Sequence, residues 1–306
     1  MSNMFSEVAE LWKTDHRRYI KKSSYAIYLI HLNRHLLPWF GSGDVPTEDS
    51  IQAFVNQKVS EGMSFSTIRS SLLVLGMILT YGEKLGRWPH IAYSVHFPSE
   101  GKRRQKIDVL TKEQQKRLVG YLTDNLSFRN LGILICLMSG LRIGEICALQ
   151  WKDLDTEAGV IHVTKSLNRL YLADGNEREY LLQVNSPKTA SSVRDIPMSR
   201  KLIQNIKPFR KLMNPGYYVL TNAATPLEPR YMRDYFTRLM VRLGMPPVRF
   251  HALRHSFATR CIESNCDYKT VSTILGHASL ATTMDLYVHP GLEDKKRVIE
   301  KMSRLL

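Results

Sequence analysis

The feature that most constrains the fold is a change in hydrophobic period partway along the chain. For roughly the first 150 residues apolar side chains recur at helical spacing, and then "GVIHVT", "EYLLQV" and "SSVRDIPM" read as short strands rich in Val, Ile and Tyr. From Leu202 the helical spacing returns. A chain of this kind is mainly α with a small antiparallel sheet inserted, and "NSPKTAS" supplies the turn between the last two strands.

The segments before the strands have recognisable ends. "FSEVAELWKTDHRRY", "KSSYAIYLIHLNRHLLPWFG", "TEDSIQAFVNQKVSEG" and "SFSTIRSSLLVLGMILTYGEKLGRW" make four helices, a small bundle over residues 1–97. "FPSEGKRRQKIDVL" has no apolar periodicity, so residues 98–107 are a basic linker, and a second domain occupies 108–306. That domain opens on Thr111 and Gln114 at capping-box spacing. "FRNLGILICLMSGLRIGEICALQW" then gives a buried helix, a turn at Ser139-Gly140 and a second helix.

Charge narrows the partners. The 306 residues carry a net charge of +15, yet residues 1–97 contribute only 10 Lys and Arg against 8 Asp and Glu. The remaining 33 basic and 20 acidic residues lie in 98–306, so the cationic character is concentrated in the linker and second domain, the C-terminal two-thirds of the chain. Such a balance favours a polyanion, nucleic acid or an acidic membrane surface. No unbroken apolar run of about 18 residues exists, and the N-terminus lacks the regions of a signal peptide. Four cysteines (136, 147, 261 and 266) suggest no disulfide framework, so the expectation is a reduced, cytoplasmic protein without membrane association.

Several charged residues sit in apolar surroundings. In "FHALRHSFATR" Leu253, Phe257 and Cys261 form one stripe while His251, Arg254 and His255 cluster elsewhere on the helix. Arg142, between Leu141 and Ile143, either pairs with Glu145 three residues on or, with Arg254, brackets the oxygens of one phosphate. His251 and His255 at i, i+4 raise zinc, but Ala252 stands where a metalloprotease needs Glu, and no cysteine pair has ligand spacing; no metal is expected. His277 follows Gly276, and Tyr287 lies ten residues on; each alone reads as an ordinary turn or core residue.

Taken together and in order, "GLRIGE", "SPKTASSVRDIP", "HALRH" and "LGHASLATTMDLY" resemble the tyrosine recombinases, also called the phage-integrase family. The resemblance runs from about residue 108 to 290, and the preceding bundle resembles that family's SAM-like core-binding domain. It implies a two-domain C-shaped DNA clamp that cuts one strand through a 3′-phosphotyrosyl intermediate and uses no cofactor. By motif match Tyr287 is the nucleophile, Arg142 and Arg254 bind the non-bridging oxygens, and Lys188 is the general acid, with Lys165, taken as a strand residue, as the fallback. His251 either takes the tyrosine proton or orients the phosphate, His277 hydrogen-bonds it, and Glu145 supports the first arginine. His255 matches no family position and is read as structural.

Partners implied are double-stranded DNA with inverted half-sites and further copies of the chain, a dimer per site and a tetrameric synapse. Lys21, Lys22 and Arg69 on the bundle and Lys102, Arg103 and Arg104 in the linker are the DNA-contacting candidates. The linker run is otherwise a solvated connector. The tail "HPGLEDKKRVIEKMSRLL" is an amphipathic helix expected to dock on a neighbouring protomer rather than fold back. The chain begins almost at the bundle, as Xer-type recombinases do, whereas the long 159–197 region resembles integrases of mobile elements, and the mobile-element role is favoured. A type IB topoisomerase and a silent DNA-binding protein are the rival readings.

Overall fold

The computed structural model describes residues 4–43, 45–98, 108–171, 180–185, 192–212 and 214–287, together with positions 296, 299, 300, 302 and 303. Lys188 and its turn, linker residues Lys102, Arg103 and Arg104, and most of the C-terminal tail lie outside the described residues. The chain divides into two compact units, Met1–Arg104 with Leu170–Leu181, and Gln105–Arg169 with Leu182–Leu306.

In the first unit α1 (Phe5–His16), α2 (Lys22–His31), α4 (Glu48–Ser60) and α5 (Phe65–Lys84) are the helices the periodicity announces. One departs from regularity: α2 runs into a π-helical turn, Leu32–Leu36, and then the short α3 (Leu37–Phe40). Pro38 explains this, because it has no N–H to donate and its ring would strike the carbonyl four residues back. The backbone widens so that Leu37 donates to Leu32, five residues back. Trp12, Phe5, Leu32, Leu36, Phe54, Leu75 and Ile78 fill the core. By length and composition α5 is apolar enough to cross a membrane. Its face of Ile68, Leu72, Val74, Leu75, Ile78 and Leu79 is buried among the other helices, and Ser and Thr interrupt the apolar run without adding charge. Gly82 lets Trp88 lie flat against α5, where a Cβ would come within 2.0 Å of the indole. There Trp88 Nε1 donates to the Leu79 carbonyl at 2.8 Å.

The second unit is built around α7 (Phe128–Ser139), whose residues Leu131 to Leu137 are all buried. Full burial of each such Leu or Ile is worth about 1.5–3 kcal/mol. Before it comes α6 (Lys112–Asp124), with the Thr111–Gln114 capping box formed as the spacing predicts. After it, α8 (Ile143–Ala148) leads into β1 (Leu154–Asp155) and β2 (Val160–Val163). Strands β3 (Ser166–Tyr171) and β4 (Tyr180–Asn185) pair with each other, and β5 (Arg194–Pro197) returns to β2. The expected single sheet is therefore two: β1-β2-β5 and β3-β4. Asn168 and Arg169 break the apolar alternation of "SLNRLY", so the sequence pattern does not announce β3. Helices α9 (Arg200–Ile206), α10 (Pro229–Arg242), α11 (Ala252–Glu263), α12 (Tyr268–Leu275) and α13 (Leu280–Tyr287) complete the unit. All four cysteines are free thiols, with Cys136 and Cys147 in the core.

Candidate active site

The site grows from the C-terminal end of α12. A helix leaves its last carbonyls without intrahelical partners, and the aligned peptide dipoles make that end negative. Gly276 ends α12 at φ +64°, in the left-handed region. Three arginines answer the three successive carbonyls there. Arg194 Nε donates to Ile274 at 2.5 Å, Arg254 to Leu275 at 2.8 Å and Arg142 to Gly276 at 2.8 Å.

One carboxylate ties two of them together. Glu145, 4% exposed, accepts both terminal nitrogens of Arg194 at 3.0 Å each, and also Arg142 Nη1 and the Arg142 backbone N–H at 2.8 Å each. Burial alone would raise the Glu145 carboxyl, but the Arg194 hydrogen bonds and charge, then those of Arg142, outweigh it and hold it below its ordinary value. Arg254 takes another anchor. Its Nη1 donates at 2.8 Å to the carbonyl of Gly140, which caps α7 at φ +69°. At 2% exposure Arg254 is among the largest fully buried side chains. Burial first and the Arg142 charge second bring its pKa down to about 9, so it remains a cation at neutral pH.

Aromatic and imidazole rings form the other half. His277, the first residue beyond Gly276, is hydrogen-bonded through Nδ1 to the buried Thr283 hydroxyl on α13 at 2.7 Å. Its ring lies nearly parallel to that of Tyr287, at 5° and 6.5 Å between centroids. The Tyr287 hydroxyl is hydrogen-bonded to His255 Nδ1 at 2.6 Å, and His251 meets His255 edge-on at 4.6 Å. Tyr287 is thus flanked by His255 and His277.

Each of the three imidazoles is pushed toward its neutral form. Desolvation by the surrounding atoms, followed by the charges of His255 and Arg254, lowers His251 to about 4, although that residue keeps an exposed edge. His277 is lowered to about 4 by burial and then by Arg254 and Arg142. His255 is lowered by burial and Arg254, with Asp108 pulling the other way. Burial raises the Tyr287 phenol, opposed by Arg254 and Arg142. Three guanidinium groups against one carboxylate leave a fixed charge of about +2 in a partly buried cluster, an arrangement suited to an anion that gains charge as it reacts.

The sequence model of the phage integrase family matches residues 108–293. The chain belongs to that family. It is a site-specific tyrosine recombinase. Among its relatives are a XerC-like tyrosine recombinase of Caldanaerobacter subterraneus subsp. tengcongensis, 27% identical over 277 residues (83% of this chain, 70% of the relative). The ICEBs1 integrase of Bacillus subtilis is 27% identical over 296 residues, 90% of this chain and 76% of that one. The tyrosine recombinase XerC of Xylella fastidiosa is 30% identical over 278 residues, 87% and 85% of the two chains. The fold is shared with the Tn1549 transposon integrase solved with transposon right end DNA, at TM-score 0.77, 22% identity, 98% of this chain and 99% of that one. It is shared also with the lambda integrase tetramer bound to a Holliday junction, at TM-score 0.65, 15% identity, and 94% and 78% of the two chains.

In this recombinase Arg142, Glu145, His251, Arg254, His277 and Tyr287 lie in one unit and in one constellation. Lys21, Lys22 and Arg69 belong to the other unit and are exposed, Arg69 over the ring of Phe97 at 4.9 Å. Lys165 lies between β2 and β3 rather than within a strand, and is engaged with Gln150 at 2.6 Å and Asp153 at 3.1 Å. Among the described residues no three His, Cys, Asp or Glu side chains come together as metal ligands.

Two residues of the constellation were not singled out for the site in the sequence. Arg194 had a usable signal: in the strand "RDIP" it alternates onto the same inward face as Ile196. An arginine on a core face needs an acid, and Glu145 was available. For His255 the sequence showed only its distance of four from His251, since its contact comes from a residue 32 positions away.

Proposed function

We propose that this recombinase cuts and rejoins DNA through Tyr287, which attacks the scissile phosphate to give a 3′-phosphotyrosyl link and a free 5′-hydroxyl. The observation that carries the reading is that Tyr287 shares one constellation with two arginines, each anchored through a carbonyl of the same helix end. Each guanidinium has five N–H donors, and these contacts use two of them on Arg142 and two on Arg254, leaving others for phosphate oxygens. Phenolate attack on a phosphodiester produces a phosphorane with one more negative charge than the diester, and the fixed cations favour that state over the ground state. His251 and His277, neutral, contact the phosphodiester as hydrogen-bond partners. Lys188 is assigned to protonate the leaving 5′-oxygen, as the family motif suggests.

Residues 1–97 serve as a core-binding domain, 98–107 as the linker and 108–306 as the catalytic domain. Exposed Lys21 and Lys22 at the start of α2, a first turn without acidic residues, suit a DNA phosphate. Arg69, Lys102, Arg103 and Arg104 are assigned to the DNA backbone as well. The protein acts in the cytoplasm on double-stranded DNA with inverted half-sites, as a dimer per site and a tetramer in synapsis. Similarity to the ICEBs1 and Tn1549 integrases supports a role in moving a mobile element. The XerC relatives support the second reading, resolution of chromosome or plasmid dimers.

The test is trapping. Duplexes drawn from DNA flanking the gene's own locus, nicked near candidate crossover sites, are incubated with wild type and with Tyr287→Phe, and SDS-resistant protein–DNA adducts are counted. An adduct with wild type alone is expected. An adduct of equal yield with Tyr287→Phe removes Tyr287 as the nucleophile.

A further inference from the structure

We propose that His255, through Nδ1, accepts the phenolic proton of Tyr287 as its hydroxyl attacks the phosphate; this rests on the reading of Tyr287 as the nucleophile. The geometry separates the three histidines around that tyrosine. His255 holds the hydroxyl at 2.6 Å, within the range in which a base takes a proton directly. His277 has its Nδ1 committed to Thr283 and meets Tyr287 ring to ring, nearly parallel at 6.5 Å between centroids, whereas the hydrogen bond to the Tyr287 hydroxyl is made by His255. His251 touches His255 ring to ring, with an exposed edge of its own. That leaves His251 to the phosphate and His255 to the nucleophile.

The surroundings of His255 suit a base that must be neutral before the step and tolerated as a cation after it. Facing it from α11 are His251 and Arg254, from α13 Tyr287, and from the segment before α6 Asp108. That segment is held on α11 by the Leu110 N–H, which donates to Ser256 Oγ at 2.8 Å. Arg254 and burial disfavour the imidazolium at rest, whereas the Asp108 carboxylate favours it. As the proton arrives, the negative charge moving onto the phosphorane compensates Arg254 nearby.

The step balances. The Tyr287 Oη–P bond forms and the P–O5′ bond breaks. The phenolic proton passes to the His255 Nδ1 lone pair, Nε2 carrying the ring's other hydrogen, and O5′ takes a proton from the general acid assigned to Lys188. On rejoining, the 5′-hydroxyl attacks phosphorus and gives its proton back to the group assigned to Lys188, the P–Oη bond breaks, and His255 returns its proton to the departing Tyr287 oxygen.

The experiment uses the full chain and the nicked duplexes described above under single-turnover conditions. His255→Phe removes the acceptor and His255→Asn keeps a hydrogen bond without a site for a proton. Both are expected to slow adduct formation about 10²–10⁴-fold, the usual worth of a general base, while DNA binding is unchanged. Replacing Tyr287 by 3,5-difluorotyrosine, whose phenol ionises near neutral pH, should then restore most of the rate lost in both variants. It should restore none of the loss in Arg254→Lys, which acts on the phosphate. A His255→Asn rate within about threefold of wild type overturns the proposal, as does a His255 defect of equal size with either tyrosine. If His255→Phe fails to fold, His255→Asn carries the test. An adduct that persists in Tyr287→Phe overturns the nucleophile assignment itself, an outcome distinct from a His255 variant that still cuts through Tyr287.

Discussion

Glu145 is the acid on which the arginine framework rests, and Glu145→Gln tests that framework in isolation. The substitution keeps shape but removes the charge shared by Arg194 and Arg142, and it sets an amide N–H₂ against one guanidinium. The two partners differ in weight. The Arg194 side chain is 5% exposed against 4% for Glu145, so losing the charge leaves a buried cation uncompensated, at a cost of about 3–5 kcal/mol. Arg142 is 34% exposed, and water screens its share to about 1 kcal/mol or less. The whole effect should therefore be about 3–5 kcal/mol, read as a lower denaturant midpoint at unchanged slope at pH 7. Linkage sets its pH range. The Glu145 carboxyl is held below its unfolded value, so its contribution is present above about pH 4.5 and fades as pH falls through the folded pKa. The gap between wild type and variant should hold from pH 5 to 8 and close in acid. Adduct formation should fall as well, because Arg142 and Arg194 lose the group that aims them. A loss below about 1 kcal/mol at pH 7 would refute the argument, since it would mean that Arg194 has another source of compensation.

Other outcomes follow from the same geometry. Gly140→Ala puts a Cβ at φ +69° within 2.7 Å of Phe257 Cδ1 and 2.8 Å of Leu275 Cδ2. It should cost about 2–4 kcal/mol in thermal or denaturant melts and weaken cleavage by shifting the carbonyl that holds Arg254. His251 and His277 titrate near 4 in the folded protein and near 6.5 when unfolded, so the unfolded chain binds more protons between those values. Stability should fall as pH drops from about 6.5 to about 4, and His277→Asn should flatten that slope in denaturant midpoints measured from pH 7 to 5. Because the arginines supply the positive donors, adduct yield should be the same with and without EDTA; a loss that Mg²⁺ restores would point to a role for metal in the step.

What could be read in the sequence was local, and what could not was long-range. The Thr111–Gln114 cap and the extents of α1 and α5 follow from residues within a turn of one another, so spacing alone reveals them. The return of β5 to β2, with Arg194 opposite Val163, depends on partners 31 residues apart, and strand patterning says nothing of which strands meet. The π-helical turn at Leu32–Leu36 is signalled by Pro38, though that residue reads equally well as a helix stop. In the site, the motif residues were identified by resemblance. The physical reason that they converge, three arginines on three adjacent carbonyls of α12, has no counterpart in sequence spacing. The apolar stripe expected on α11 is only partly the core face: Leu253 is buried, whereas Phe257 and Cys261 are partly buried against the small cluster of Ala258, Val271 and Leu275.

The most direct measurement of the central claim is the chemistry of the trapped adduct. Proteolysis and mass spectrometry should place the nucleotide on the peptide that ends α13, at Tyr287, and the released strand should carry a 5′-hydroxyl that polynucleotide kinase labels without prior phosphatase. A nucleotide on any other residue, or a 5′-phosphate on the released strand, would contradict the account.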